Sequence, residues 1–146
     1  MKEYGTYYVP TITAGKEVAA KAKIPGYYDD LVVPKALAIG PKIQNTTTKA
    51  YKAGVNIAFG SDAGVFPHGK NAKEFRYMNE AGIPVIECLQ AATIINSKIL
   101  SMESEIGQIK KGFFADIVAT KINPVDDVTT LEDIQFVMKE GKVYKD

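Results

Sequence analysis

Only one cysteine, Cys88, and one histidine, His68, occur in the 146 residues. A lone cysteine closes no internal disulfide, and a lone histidine cannot be half of a helical His pair, so a disulfide framework and a histidine-rich metal site are both excluded from this chain alone. Charge of one sign is equally scarce. A formal net charge of +1 at pH 7 gives no long-range pull toward nucleic acid or an anionic membrane, and basic and aromatic residues interleave nowhere densely enough for a nucleic-acid surface. No run approaches the ~18 apolar residues of a membrane span, and Met1–Thr6 lack the apolar core of a signal peptide. The default expectation is a cytoplasmic protein with neither a nucleic-acid nor a membrane partner. The phosphate-binding patterns Gly-x-x-x-x-Gly-Lys-Ser/Thr and Gly-x-Gly-x-x-Gly are absent, as is the hydrolase elbow Gly-x-Ser-x-Gly. Internal repeats and low-complexity segments are lacking too.

What remains is a folding composition, 46% hydrophobic and 24% charged. The chain is organised around residues 55–71. Val55, Ile57, Ala58 and Phe59 form a short apolar run suited to a strand covered on both faces, and the run stops at a glycine-punctuated loop carrying Ser61, Asp62 and His68. A carboxylate at the C-terminal end of a buried strand is how an α/β barrel presents a catalytic group. Gly60 and Gly64 free the backbone on either side of it.

Thr6–Thr13, aromatic and β-branched, reads as an earlier strand with Pro10 near its end. Residues 14–33 suggest a loop or short helical turn. From Pro34 the pattern is helical, with a break expected at Gly40-Pro41 and a second helix to Ala53, closed by Gly54 in the left-handed conformation. Strand, crossover helix and strand make a βαβ unit, whose strands should be parallel. Asn71 and Glu74 are spaced like a capping box ahead of a helix carrying Phe75, Met78 and Ala81 and ended by Gly82. Pro84 opens the next helix at its first position, with Ile86, Leu89 and Ala92 around Cys88, so that thiol is expected to be buried and inert. After Gly107 the period changes. Residues 108–120 read as strand, turn and strand, and Ile134–Tyr144 as a hairpin around Glu140-Gly141.

Gly54-Val-Asn-Ile-Ala-Phe-Gly-Ser-Asp-Ala-Gly64, followed by Pro67-His-Gly-Lys-Asn71, resembles the last barrel strand and loop of the metal-dependent amidohydrolases, in the imidazolonepropionase-like and Xaa-Pro dipeptidase (prolidase)-like branch. Ala91-Ala-Thr93, Ile106-Gly-Gln-Ile109, Lys111–Val118, Asn123-Pro124 and Phe136–Tyr144 follow in that family's order, and Tyr8-Val-Pro-Thr11 is similar to the end of its seventh strand. A complete (β/α)8 TIM barrel needs about 250 residues and rarely fewer than roughly 200. The resemblance therefore implies an α/β chain corresponding to the C-terminal third of such an enzyme. Residues 1–103 would be part of the barrel, strands 7 and 8 with their helices, and residues 104–146 would be strands of the accompanying small β-sandwich.

The resemblance further implies hydrolysis of C–N bonds, in an amide, an Xaa-Pro dipeptide or an N-acyl amino acid. Asp62 would be both metal ligand and catalytic proton shuttle, taking a proton from metal-activated water. His68 and Asn71 are candidate substrate contacts, with a hydrogen-bonded loop histidine and a helix cap as the structural alternatives. The cofactor would be a divalent metal, zinc first among candidates, with one or two ions in the complete enzyme. The family's remaining ligands come from strands that these residues do not include, so a second expectation stands beside the first. It is a non-catalytic fragment or subunit, inactive without the other barrel half, in an enzyme that is homo-oligomeric when complete. Asp116, set between two strand segments, is expected to be structural.

Overall fold

A computed structural model describes residues 1–146. Strand β1, Tyr7–Tyr8, pairs in parallel with β2, Asn56–Ile57, Tyr7 lying opposite Asn56 and Tyr8 opposite Ile57. The parallel pairing expected of a βαβ unit is present, with short strands. Two helices fill the crossover: α1, Ile12–Lys21, and α2, Val33–Lys52. Gly54, at φ 72°, ends the second as expected, its N–H donating to the Tyr51 carbonyl at 2.9 Å.

The crossover differs from the sequence reading in two places. Residues 11–13 do not prolong the strand, and much of 14–33 is not loop: Thr11 turns into the left-handed region at φ 51°, and α1 starts at the next residue. No local signal announces this helix, because Thr11 gives it no side-chain cap. The cap comes from Glu74, whose carboxylate accepts from the Ile12 N–H at 2.8 Å, the Thr13 N–H at 2.7 Å and the Thr13 hydroxyl at 2.6 Å.

The second difference is that α2 runs unbroken through Gly40-Pro41. Proline removes the hydrogen bond to the carbonyl four residues earlier. Here that carbonyl belongs to Leu37, and both residues are exposed, so water can take the proline's place. Gly40 marks a helix crossing. A Cβ there would lie 3.2 Å from the Gly15 carbonyl oxygen and 3.3 Å from Ala19 Cβ, and one at Gly15 would lie 2.6 Å from Ile43 Cδ1. Two glycines thus let α1 and α2 approach backbone to backbone.

Helix α3, Lys73–Glu80, ends at Gly82, φ 96°, as expected. Asn71 and Glu74 do not form a capping box. Ala72 occupies the cap position without a side-chain bond, and the side chains of Asn71, just before the helix, and Glu74, in its first turn, both reach away from it. Helix α4, Val85–Gln90, has Pro84 as its cap residue, not its first turn, with the Pro84 carbonyl accepting from Glu87 and Cys88. It continues through a π-helical segment, Ala91–Ile95, into α5, Asn96–Ile99. Ile12 of α1, Ile57 of β2, Met78 of α3 and Cys88 of α4 meet in one core. Full burial of a side chain such as Ile12 or Met78 contributes about 1.5–3 kcal/mol. Burial, with a smaller push from Glu87, raises the Cys88 thiol to about 12, so it is inert at neutral pH. No helix is long and apolar enough to cross a membrane.

The C-terminal residues form an antiparallel sheet in the order β3-β4-β5, from Ile117–Ala119, Phe136–Lys139 and Lys142–Lys145. The expected hairpin is present. Glu140 and Gly141, at φ 51° and 79°, make its two-residue turn. Of the strand, turn and strand expected over 108–120, the turn at Lys111-Gly112, closed by the Phe113 N–H donating to the Lys110 carbonyl at 3.1 Å, and β3 form, but the first strand does not. Residues 108–111 have no neighbouring strand to complete their hydrogen bonds, and Ile109 stands 86% exposed. A 3-10 turn, Val128–Glu132, docks the sheet on α3. Leu131 is buried there, and Arg76 Nε lies 2.9 Å from Glu132 Oε1 as an ion pair whose N–H is not aimed for a hydrogen bond.

Asp116 is structural, as expected. It accepts from Lys139 Nζ and from the Glu140 N–H, each at 2.8 Å, and so holds the hairpin turn against β3. The Lys139 hydrogen bond, then the Glu140 N–H, holds its carboxyl below the usual aspartate range. A lowered folded-state value stabilises the turn above the ordinary aspartate pKa and is lost as pH falls through the folded one. In a pH titration followed by amide shifts, the hairpin should therefore loosen only at pH below ordinary aspartate ionisation. Asp116→Asn should abolish that transition, and a transition unchanged in the variant would contradict the assignment.

Candidate active site

Because β1 and β2 are parallel, the segments leaving their C-terminal ends, Val9–Thr11 and Gly60–Gly64, emerge side by side. They touch at Gly60, where a Cβ would come within 2.5 Å of Val9 Cγ1. Glycine is needed there for space. Ser61 is buried, and its hydroxyl accepts from Asn71 Nδ2 at 2.9 Å, while Asn71 Oδ1 accepts from the Gly69 N–H at 3.1 Å. One amide side chain thus ties both ends of the 61–69 loop. Within the loop Phe66 is buried, and Lys21 of α1 donates to the Val65 carbonyl.

Asp62 sits at the loop's entry with φ 51°, a left-handed conformation that aspartate tolerates better than most residues, at a cost of roughly 1–2 kcal/mol. Its carbonyl accepts from the Gly64 N–H at 2.9 Å, and its side chain is exposed. Behind it, Asn96 takes both polar groups of Phe59. Oδ1 accepts from the Phe59 N–H at 3.3 Å, and Nδ2 donates to the Phe59 carbonyl at 2.9 Å. Asn96 follows directly on the π-helical segment, whose extra residue per turn re-aims what comes after it. Phe59 also stacks on Phe75, ring centroids 4.3 Å apart.

The three residues singled out in the sequence therefore share one loop and differ in what they do there. Asp62 presents an exposed carboxylate, His68 is exposed further along, and Asn71 spends its amide on Ser61 and Gly69. They do not form a metal centre. No group of three His, Cys, Asp or Glu side chains lies close enough to hold an ion. Sequence reasoning missed Gly60 as a contact, Ser61 as a buried hydroxyl, Asn96 as a partner of the strand end and Glu74 as a remote cap. Only Asn71 and Glu74 carried a legible signal, a polar pair at i, i+3, and it pointed to the wrong helix.

Two parallel strands joined through helices, with an exposed aspartate on the loop that follows the second, make an α/β arrangement. The chain belongs to the amidohydrolase family, whose model matches residues 1–145. It is similar to a crystallised Xaa-Pro dipeptidase with bound methionine in its active site, at 49% identity and a TM-score of 0.93 over 99% of this chain and 36% of that one. Ochratoxinase of Aspergillus niger is 30% identical over 99% of this chain and 30% of its own length. A 5-methylthioadenosine/S-adenosylhomocysteine deaminase of Caldanaerobacter subterraneus subsp. tengcongensis is 25% identical over 98% of this chain and 39% of its own. The chain thus spans about a third of the length of these relatives.

The Gly60–Val9 contact predicts that Gly60→Ala destabilises the protein by about 1–3 kcal/mol through overpacking. Denaturant unfolding measures this, and a midpoint equal to wild type would show that Val9 moves aside freely.

Proposed function

We propose that these residues form one wall of the active site of a metal-dependent hydrolase of C–N bonds, with Asp62 as metal ligand and proton acceptor. The observation carrying this reading is the carboxylate held at the end of the second parallel strand, its backbone fixed between Gly60 against Val9 and Ser61 bonded to Asn71. Family membership and the likeness to a dipeptidase support it. On this reading β1 and β2 are the seventh and eighth strands of a TIM barrel, residues 1–103 belong to the barrel and 104–146 to its β-sandwich, and the substrate is a small amide such as an Xaa-Pro dipeptide or an N-acyl amino acid. His68, exposed at the mouth, contacts substrate, and Asn71 contributes chiefly by shaping the loop.

The family is metal-dependent in general, but the donors in this chain do not make a complete site. A catalytic zinc takes three protein ligands, and only Asp62 stands at the strand end, with no cluster of three donors anywhere. Asp62 fits as one ligand of a set completed by other strands. Zinc, as one or two ions, would supply Lewis acidity that brings the pKa of water toward neutrality. The residue's own part is a proton path. The carboxylate accepts a proton from the attacking water as the C–O bond forms, and releases it to the nitrogen as the C–N bond breaks. The incomplete donor set also favours the second reading, that residues 1–146 by themselves turn over nothing.

Both readings are tested together. In a protein presenting these residues with the rest of the barrel, Asp62→Asn should lower kcat by about 10²–10⁴-fold, because the amide accepts no proton. His68→Ala should chiefly raise KM. Residues 1–146 alone, given excess zinc and a panel of dipeptides and N-acyl amino acids, should show no turnover above the metal-only blank. Turnover that disappears in Asp62→Asn would show instead that these residues build a site unaided.

A further inference from the structure

Glu74 is a fully buried carboxylate that the proton path does not use. Its three donors, the N–H groups of Ile12 and Thr13 and the Thr13 hydroxyl, occupy both oxygens. The two backbone amides can only donate, which suits oxygens that accept, while the Thr13 hydroxyl could serve either a charged or a protonated carboxyl. The two amides are the first of α1, where a negative charge is favoured and where Thr11 supplies no cap. The surroundings of the carboxylate act in both directions. Burial pushes the carboxyl above the usual glutamate range, and the hydrogen bonds from Thr13 and Ile12, then Lys16 on α1, work against that push, while the neighbouring ionisable group on α4 is the Cys88 thiol, which stays neutral.

The position of this carboxylate in the loop system matters more than its contribution to the helix. Ile12 lies three residues after Val9, which packs on Gly60, and Glu74 lies three residues after Asn71, which holds Ser61. The contacts close a ring, from Val9 to Gly60, Ser61, Asn71, Glu74 and Ile12, and Asp62 extends from that ring. We propose that Glu74 is the positioning residue for Asp62: by fastening the start of α1 to the entry of α3 it presses Val9 on Gly60 and fixes the backbone angle at which Asp62 leaves β2. This rests on the reading of Asp62 as the reacting carboxylate only for its consequence in turnover. The geometric part stands without it.

The test uses the 146-residue chain with no metal or substrate. Nuclear magnetic resonance follows amide exchange at Ile12 and Thr13, the amide shifts of Gly60–Asp62 and the Asp62 carboxyl carbon, in wild type, Glu74→Gln and Thr13→Val. Glu74→Gln keeps the shape but sets an amide NH2 against an N–H donor, and should speed exchange at Ile12 and Thr13 about tenfold or more. The Gly60–Asp62 amides and the Asp62 carboxyl carbon should shift in the same spectra, while β3–β5 stay in place. Thr13→Val removes only the hydroxyl donor and should give the same pattern at lower amplitude. It decides the matter if Glu74→Gln does not fold. Loss of protection at Ile12 and Thr13 with Gly60–Asp62 unmoved would overturn the proposal and leave Glu74 as a helix cap alone. In the complete enzyme the same Glu74→Gln should lower kcat with KM nearly unchanged, whereas a residue that only stabilises the fold would leave kcat per folded molecule as it was.

Discussion

The structure depends on a buried glutamate side chain that joins two helices far apart in sequence. Leaving a buried carboxylate without donors costs several kcal/mol, and leaving the first amides of a helix without acceptors costs more on top. Glu74 and the start of α1 each answer the other's need. Once α1 is fixed there, other links fall into line along it. Lys16 pairs with Glu80 at 2.7 Å and lies over the Tyr77 ring, and Lys21 reaches the Val65 carbonyl. At the back of the same helix Gly15 meets α2. Helix α1 is thereby held between α2 and the segment that carries Asp62.

This explains how two strands of two residues each can hold a site. So short a ladder gives little stability by itself. The strand ends are secured from outside it, by Asn96 on Phe59, by the ring stack of Phe59 on Phe75 and by the Ser61–Asn71 bond. The outward groups of Phe59 show the principle most clearly. They are satisfied by a side chain that a π-helical segment has turned toward them, in place of a further strand. The backbone overlays a dipeptidase fold with a TM-score of 0.93 while covering 36% of that chain, so the same fold occurs there within much more structure.

What was legible in the sequence was whatever local chemistry decides. The parallel strands, the Gly54 and Gly82 helix ends, the Glu140-Gly141 turn and the buried Cys88 all follow from periodicity or from residues that alone tolerate positive φ. The errors came where a partner distant in sequence decides. Helix α1 was hidden because its cap lies 61 and 62 residues away. The break expected at Gly40-Pro41 failed because tertiary packing explains the glycine and solvent tolerates the proline. At the site, the aspartate at the strand end was readable from the glycines around it. The ring that orients it was not, since a Glu or Asn on one helix gives no local sign of the backbone it will meet.

We propose that Asp62 is oriented by this chain and shares a metal with ligands from elsewhere. Calorimetric titration of residues 1–146 with zinc tests it most directly. The account predicts only weak binding that Asp62→Asn leaves nearly unchanged. Tight, stoichiometric binding that Asp62→Asn removes would contradict it, because a complete metal site would then have formed from these residues alone.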